Sequence, residues 1–142
     1  MGHELVEILI VEDNPSDLEL AMHALMKHNL ANHIHVARDG AEAVDFFFAN
    51  GDSVPRPAVV LLDLKLPKLN GIEVLRRLKG DPRTSLIPVI VLTASREEQD
   101  VITSYQLGVN SYIVKPVDFE QFTEAVRVLG LHWLLLNQPP PV

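Results

Sequence analysis

Four short apolar runs in this chain end in side chains that can do chemistry. Glu12-Asp13 follows Glu7–Val11, Asp63 follows Ala58–Leu62, Thr93-Ala94-Ser95 closes Pro88–Thr93, and Lys115-Pro116 follows Ser111–Val114. Gathered at one place, the three carboxylates would repel by roughly 1 kcal/mol per pair in water, and by more where solvation is poorer. A raised carboxyl pKa relieves that repulsion, and so does a hard divalent cation with oxygen ligands. Mg²⁺ suits the set, because it keeps several waters and takes one or two carboxylates plus a phosphate. Lys115 adds a point charge for a phosphoryl oxygen, and Thr93 adds a hydrogen-bond donor. No histidine, serine or lysine stands among these ends as a base beside a substrate-sized cleft. The nucleophile left is a carboxylate, so the expected chemistry is phosphoryl transfer onto Asp63.

Such a cluster needs a fold that brings run ends together. Val59-Val60-Leu61-Leu62 and Val89-Ile90-Val91-Leu92 are continuous rather than alternating, as in strands covered on both faces. A fifth run, His33–Ala37, alternates and reads as an edge strand. Helical signals fill the gaps. Asn14-Pro15-Ser16-Asp17 gives a cap, a proline at the first helical position and an acid in the first turn, with Leu18, Met22, Leu25 and Met26 behind it at helical spacing. Gly40 precedes a second helix with Val44, Phe47 and Phe48 on one side. Asn70-Gly71 opens a third, with Ile72, Leu75 and Leu78 on one face and Gly80-Asp81-Pro82 as its stop. Glu97 to Leu107 is a fourth, closed by Gly108, and Asp118 with Gln121 starts the fifth. Strand and helix alternate five times, which predicts an α/β fold with one doubly wound (βα)5 parallel sheet. Ligands of such sheets bind at the carboxyl ends of the strands.

Composition agrees with one such domain. The chain has 142 residues, 47% hydrophobic and 22% charged, with a formal net charge of −7 and no cysteine. An acidic balance disfavours non-specific binding to nucleic acid or to an anionic membrane. Without cysteine there is no disulfide, thiolate metal site or cysteine nucleophile. Met1-Gly2-His3-Glu4 does not open an export signal, and no run approaches the ~18 apolar residues of a bilayer span. A cytoplasmic protein is expected.

Together these residues resemble the receiver domain of two-component response regulators, over Ile8 to about Leu129. The resemblance rests on an acidic pair after the first strand, Glu12 and Asp13. It also rests on Asp63 ahead of Leu64-Lys65-Leu66-Pro67-Lys68-Leu69-Asn70-Gly71, on Thr93, on Tyr112 and on Lys115-Pro116. It implies a flavodoxin-like receiver fold over residues 5–130, with 131–142 as a C-terminal helix extension and proline-rich tail. It implies Mg²⁺ held by Asp13, Asp63 and the backbone carbonyl of Lys65, with Glu12 assisting directly or through water. Asp63 would be the phosphoacceptor, its phosphoryl oxygens met by Lys115, the Thr93 hydroxyl and the Ala94 N–H. Thr93 and Tyr112 would form the switch, and water would slowly remove the phosphoryl group, so the domain is not expected to be an enzyme acting on other molecules. Glu12 is longer than the aspartate often found at its position. Lys65 stands where the family varies, and its cation is expected to shield the acyl phosphate.

The donor implied is a phosphohistidine on a sensor histidine kinase. Glu12-Asp13-Asn14-Pro15, the Gly51–Pro57 connection and the ending His132-Trp133-Leu134-Leu135-Leu136-Asn137-Gln138-Pro139-Pro140 further resemble the small receivers paired with bacterial and cyanobacterial phytochrome kinases. Gly130 to Val142 is too short for a helix-turn-helix domain, so output is expected through protein contact. The apolar residues from Val128 onward leave a single stripe, which points to a homodimer through the face of the fourth helix, fifth strand and fifth helix and the C-terminal extension. Two rivals remain beside this reading: a receiver that docks without phosphorylation, and an aspartyl-phosphate phosphatase. A nucleotide or flavin module is disfavoured by the lack of a glycine-rich loop after the first strand. His33 and His35 share one strand face without an evident third metal ligand, and His23 and His28 read as exposed.

Overall fold

The computed structural model describes residues 7–31 and 33–136, with side chains as far as Leu129. The elements run β1 (Glu7–Val11), α1 (Pro15–Lys27), β2 (His33–Ala37), α2 (Gly40–Phe48), β3 (Val59–Leu62), α3 (Gly71–Gly80), β4 (Val89–Thr93), α4 (Glu98–Gln106), β5 (Ser111–Val114) and α5 (Phe119–Leu136). The strands pair in parallel in the order β2-β1-β3-β4-β5. This is the doubly wound (βα)5 parallel sheet that the alternation of runs implies. The continuous runs β3 and β4 are buried at every position, and the alternating run β2 is the edge.

Because successive side chains of a strand point to opposite faces, the sheet feeds two cores. Leu9, Val11, Val60, Leu62, Val89 and Val91 meet Ala43 and Phe47 of α2 and Val74, Leu75 and Leu78 of α3. Ile8, Ile10, Val59, Leu61, Ile90 and Leu92 meet Leu18, Ala21 and Leu25 of α1 and Phe122 and Val126 of α5. Burial of each such aliphatic side chain contributes about 1.5–3 kcal/mol.

Caps start the helices where the site needs loops. Asn14 Oδ1 accepts from the N–H groups of Ser16 and Asp17 at 2.9 and 3.1 Å. Asn70 Oδ1 accepts from Glu73 N at 3.0 Å, and Asp118 Oδ1 from the N–H groups of Glu120 and Gln121 at 3.0 and 3.3 Å. The second helix departs from the expected start. Gly40 is its first residue, and Asp39 is the cap, accepting from Glu42 N at 2.8 Å. An aspartate in extended backbone satisfies a first-turn N–H that glycine leaves open.

Helix stripes also differ in detail. Met26 is 63% exposed, because the stripe of α1 is completed by Ala21, Ala24 and Leu25 and Met26 has turned off it. Val74, not Ile72, takes the deep position of α3, and Ala43 does so in α2 beside the partly buried Val44 and Phe48. The helix α5 runs on to Leu136. The expected apolar contacts of 131–142 lie outside the described side chains.

Two glycines let the β3–α3 loop close. A Cβ at Gly71 would run into the carbonyl of Asp63 and the Cα of Leu64, and one at Gly40 into the carbonyl of Leu69. Gly71 N donates to Leu64 O at 3.0 Å, so the helix start is held directly beneath the end of β3. Gly71→Ala is expected to lower stability by ~2 kcal/mol, since backbone rather than a flexible side chain must yield. Urea denaturation against wild type checks it.

Candidate functional site

Sheet register carries the strand-end residues to one edge. Val11 pairs with Leu62, so Glu12 and Asp63 emerge side by side, and Asp63 N donates to Val11 O at 3.0 Å. Thr93 pairs with Val114, and Lys115 N donates to Thr93 O at 2.9 Å, which sets the lysine at the start of its loop. The Lys115–Pro116 peptide bond is cis. Glu12, Asp63 and Thr93 are buried, Lys115 is half-buried and Asp13 is exposed.

The Lys115 ammonium binds three carboxylates. It donates to Glu12 Oε1 at 2.7 Å, to Asp17 Oδ2 at 2.8 Å and to Asp63 Oδ2 at 3.1 Å. The other oxygens face backbone: Asp63 Oδ1 accepts from Lys65 N at 3.0 Å, and Glu12 Oε2 from Asn14 N at 3.2 Å. Glu12, Asp13 and Asp63 each offer a carboxylate oxygen, and those oxygens lie within 4.8 Å of one another. Three hard oxygen donors so close, with only one of them exposed, fit a divalent cation of the Mg²⁺ or Mn²⁺ class.

The charges are not balanced by Lys115 alone. Burial pushes the Glu12 carboxyl up to about 7, helped by the Asp63 charge and opposed by the bond from Lys115. Burial works against the Lys115 charge, yet bonds to Asp17 and Glu12 and the pull of Asp63 raise its pKa above the ordinary lysine value. A cation bound beside Glu12 would favour its ionised form.

Comparison with known proteins places this arrangement. A family model described as the response regulator receiver domain matches residues 8–127. The chain belongs to that family. Rcp1 of Synechocystis sp. (strain ATCC 27184 / PCC 6803 / Kazusa), a response regulator, is 40% identical over 129 residues, covering 89% of this chain and 88% of Rcp1. Its solved Mn(2+)-bound form superposes with a TM-score of 0.76 at 38% identity, covering 96% of this chain and 99% of that one. The bacteriophytochrome response regulator AtBRR is 55% identical with a TM-score of 0.77, covering 96% of this chain and 100% of the other. FilR2 of Methanothrix harundinacea (strain 6Ac), a probable methanogenesis regulatory protein, is 40% identical over 136 residues, covering 94% of this chain and 86% of its own. Receiver domains are phosphoacceptors that bind a divalent cation at an acidic site, and this receiver is related to phytochrome response regulators.

Most of the site expected of the receiver is brought together: Glu12, Asp13, Asp63, Lys115 and the backbone of Lys65. Thr93 is deeper. Its Oγ1 accepts from Ser95 N at 3.3 Å, and among the described residues no hydrogen bond joins that hydroxyl to a side chain of Asp63 or Lys115. Ala94 is exposed at the same edge. Tyr112 is half-buried with its hydroxyl donating to Ser95 O at 3.0 Å. The Lys65 ammonium turns the other way, to Asp100 Oδ2 at 3.8 Å and Glu97 Oε1 at 3.9 Å.

Asp17 was absent from the expected set. Its sequence signal, an acid in the first turn of α1, pointed only to the helix end. Asp100 was absent too, although Ser95 Oγ donates to its Oδ2 at 2.6 Å. His33 and His35 stack at 4.5 Å, with Glu7 Oε2 at 3.9 Å from His35 Nε2, and among the described residues they belong to no three-ligand cluster.

The raised Glu12 pKa has a definite sign in the metal-free receiver. Its neutral form supports the fold fully below the unfolded value of 4.5, and that support is lost as pH rises through about 7. Glu12→Gln is therefore expected to match wild type near pH 4 and to exceed it by ~2–3 kcal/mol at pH 8 in EDTA. Urea midpoints at the two pH values check this, and Mg²⁺ should shrink the difference.

Proposed function

We propose that this receiver takes a phosphoryl group onto Asp63 from a phosphohistidine of a sensor histidine kinase. The observation that carries the reading is the Lys115 ammonium 3.1 Å from Asp63 Oδ2, beside the three-carboxylate cluster. An oxygen of Asp63 attacks phosphorus, and the bond from phosphorus to the imidazole nitrogen breaks with its electron pair leaving on that nitrogen, which takes up a proton from solvent. Asp13, Asp63 and the Lys65 carbonyl would hold Mg²⁺, with Glu12 assisting. The bound ion supplies neutralisation of charge on the acceptor and the transferring group. Lys115, the Thr93 hydroxyl and the Ala94 N–H receive the phosphoryl oxygens, and Thr93 must turn outward to do so. Tyr112 then follows into the space that Thr93 leaves, biasing the α4-β5-α5 face between two packings. Water attacking phosphorus regenerates the Asp63 carboxylate and releases inorganic phosphate, so the chain resets itself slowly without being an enzyme for other substrates.

The signal is read by contact between proteins. Ile102 and Tyr105 of α4 and Val128 of α5 are 41%, 51% and 54% exposed, which supports a homodimer through the α4-β5-α5 face. We assign the domain to 5–130, the 131–142 extension to the same contact, and the protein to the cytoplasm; no described helix is long and apolar enough to cross a membrane. The kinase is proposed to be phytochrome-like, supported by the 55% identity to the bacteriophytochrome response regulator AtBRR. Lys65, held by acids of α4, is proposed to alter the lifetime of the acyl phosphate.

Intact mass after incubation with acetyl phosphate tests the acceptor. One phosphoryl adduct is expected with Mg²⁺, none in EDTA and none in Asp63→Asn. A folded wild type that gains no adduct would leave a docking receiver as the better reading.

A further inference from the structure

Resting on the reading of Asp63 as acceptor, we propose that Asp17 is a positioning residue that competes with the phosphoryl group for Lys115. All three N–H donors of the ammonium are engaged, by Glu12, Asp17 and Asp63. The bond to Asp17, 2.8 Å, is shorter than the 3.1 Å bond to Asp63. A phosphoryl oxygen on Asp63 needs Lys115, and a cation among Glu12, Asp13 and Asp63 draws on the charge of Glu12 and Asp63. Asp17 lies outside that cation cluster, so it is the carboxylate left to hold the ammonium toward α1.

The geometry gives Asp17 leverage without making it part of the chemistry. Lys115 is 15% exposed and Asp17 is 36% exposed, so the pair is partly shielded from water and from salt. Asn14 caps the helix through the backbone N–H of Asp17, which fixes where the carboxylate stands. The same aspartate favours the positive end of α1, a role that its charge would serve with or without Lys115. The resting state therefore gains from the Asp17–Lys115 pair, and the phosphoryl-bearing state gives that gain up. Removing the pair shifts the balance toward the occupied state.

Beryllofluoride, which adds to an aspartate oxygen as a phosphoryl mimic, reads this at equilibrium. Binding is followed by ¹⁹F NMR in Mg²⁺ for wild type, Asp17→Asn, Asp17→Glu and Glu19→Gln. Glu19→Gln removes the same charge from an exposed position on α1 that has no contact with Lys115. Asp17→Asn is expected to bind three- to five-fold more tightly (about the span of a partly exposed ion pair), while Glu19→Gln and the charge-conserving Asp17→Glu stay at the wild-type affinity. Asp17→Ser repeats the charge loss with a residue suited to a helix start, should the asparagine variant fold poorly. Unchanged or weaker binding in Asp17→Asn and Asp17→Ser overturns the proposal. Equal tightening in Glu19→Gln overturns it as well, because the general field would then account for the effect. If wild type itself binds no beryllofluoride in Mg²⁺, it is the acceptor reading of Asp63 that has failed.

Discussion

One ammonium group holds the acidic edge of this sheet together. Lys115 is the only cation bonded to Glu12, Asp17 and Asp63 among the described residues, and two of those carboxylates are buried. Unpaired, each buried carboxylate would carry a desolvation penalty of several kcal/mol. The pairing works only if β5 ends where it does, beside Thr93, and if β1 and β3 are neighbours. The strand order and its register are thus constraints on a charge arrangement as much as on an apolar core. Even so, burial, with the Asp63 charge beside it, leaves the Glu12 carboxyl pKa raised despite the bond from Lys115. A divalent cation there would favour ionised Glu12, so the acidic cluster that fits an ion is also the one that Lys115 holds together.

A second set of contacts radiates from Ser95. Its N–H donates to Thr93 Oγ1, its carbonyl accepts from Tyr112, and its hydroxyl donates to Asp100 on α4. Lys65 on the β3–α3 loop lies near the same Asp100. Thr93, Tyr112 and the start of α4 are thus joined through one small buried residue, and the loop after Asp63 is tied to that helix by ion pairs that are exposed and weak.

Much of this was legible before any coordinates. The continuous runs of β3 and β4 announced strands buried on both faces, and Glu12, Asp13, Asp63, Thr93 and Lys115 each sit at or just beyond the end of an apolar run. Asn14, Asn70 and Asp118 marked helix starts because a cap is a local interaction. What stayed hidden depends on how a helix is rotated against the sheet. The first-turn acid Asp17 could face solvent or the lysine, and only the packing of Leu18, Ala21 and Leu25 decides. Met26 left its stripe for the same reason. Asp39 caps the second helix through Glu42 N, and the close approach of Leu69 to Gly40 joins segments far apart in sequence. Lys65 was expected at the acceptor, and its long side chain is drawn instead to Glu97 and Asp100 at the start of α4.

The ion-pair cluster also bears on how the chain folds. Lys115 lies 103 residues from Glu12, 98 from Asp17 and 52 from Asp63 along the sequence. Contacts of such separation form only after long loops have closed, and β5, which delivers the lysine, follows the other described strands along the chain and sits at an edge of the sheet. A nascent chain that has completed β1 to β4 already carries its carboxylates but lacks their cation. The charge arrangement at this edge is thereby a property of the finished sheet, complete only when β5 has joined β4.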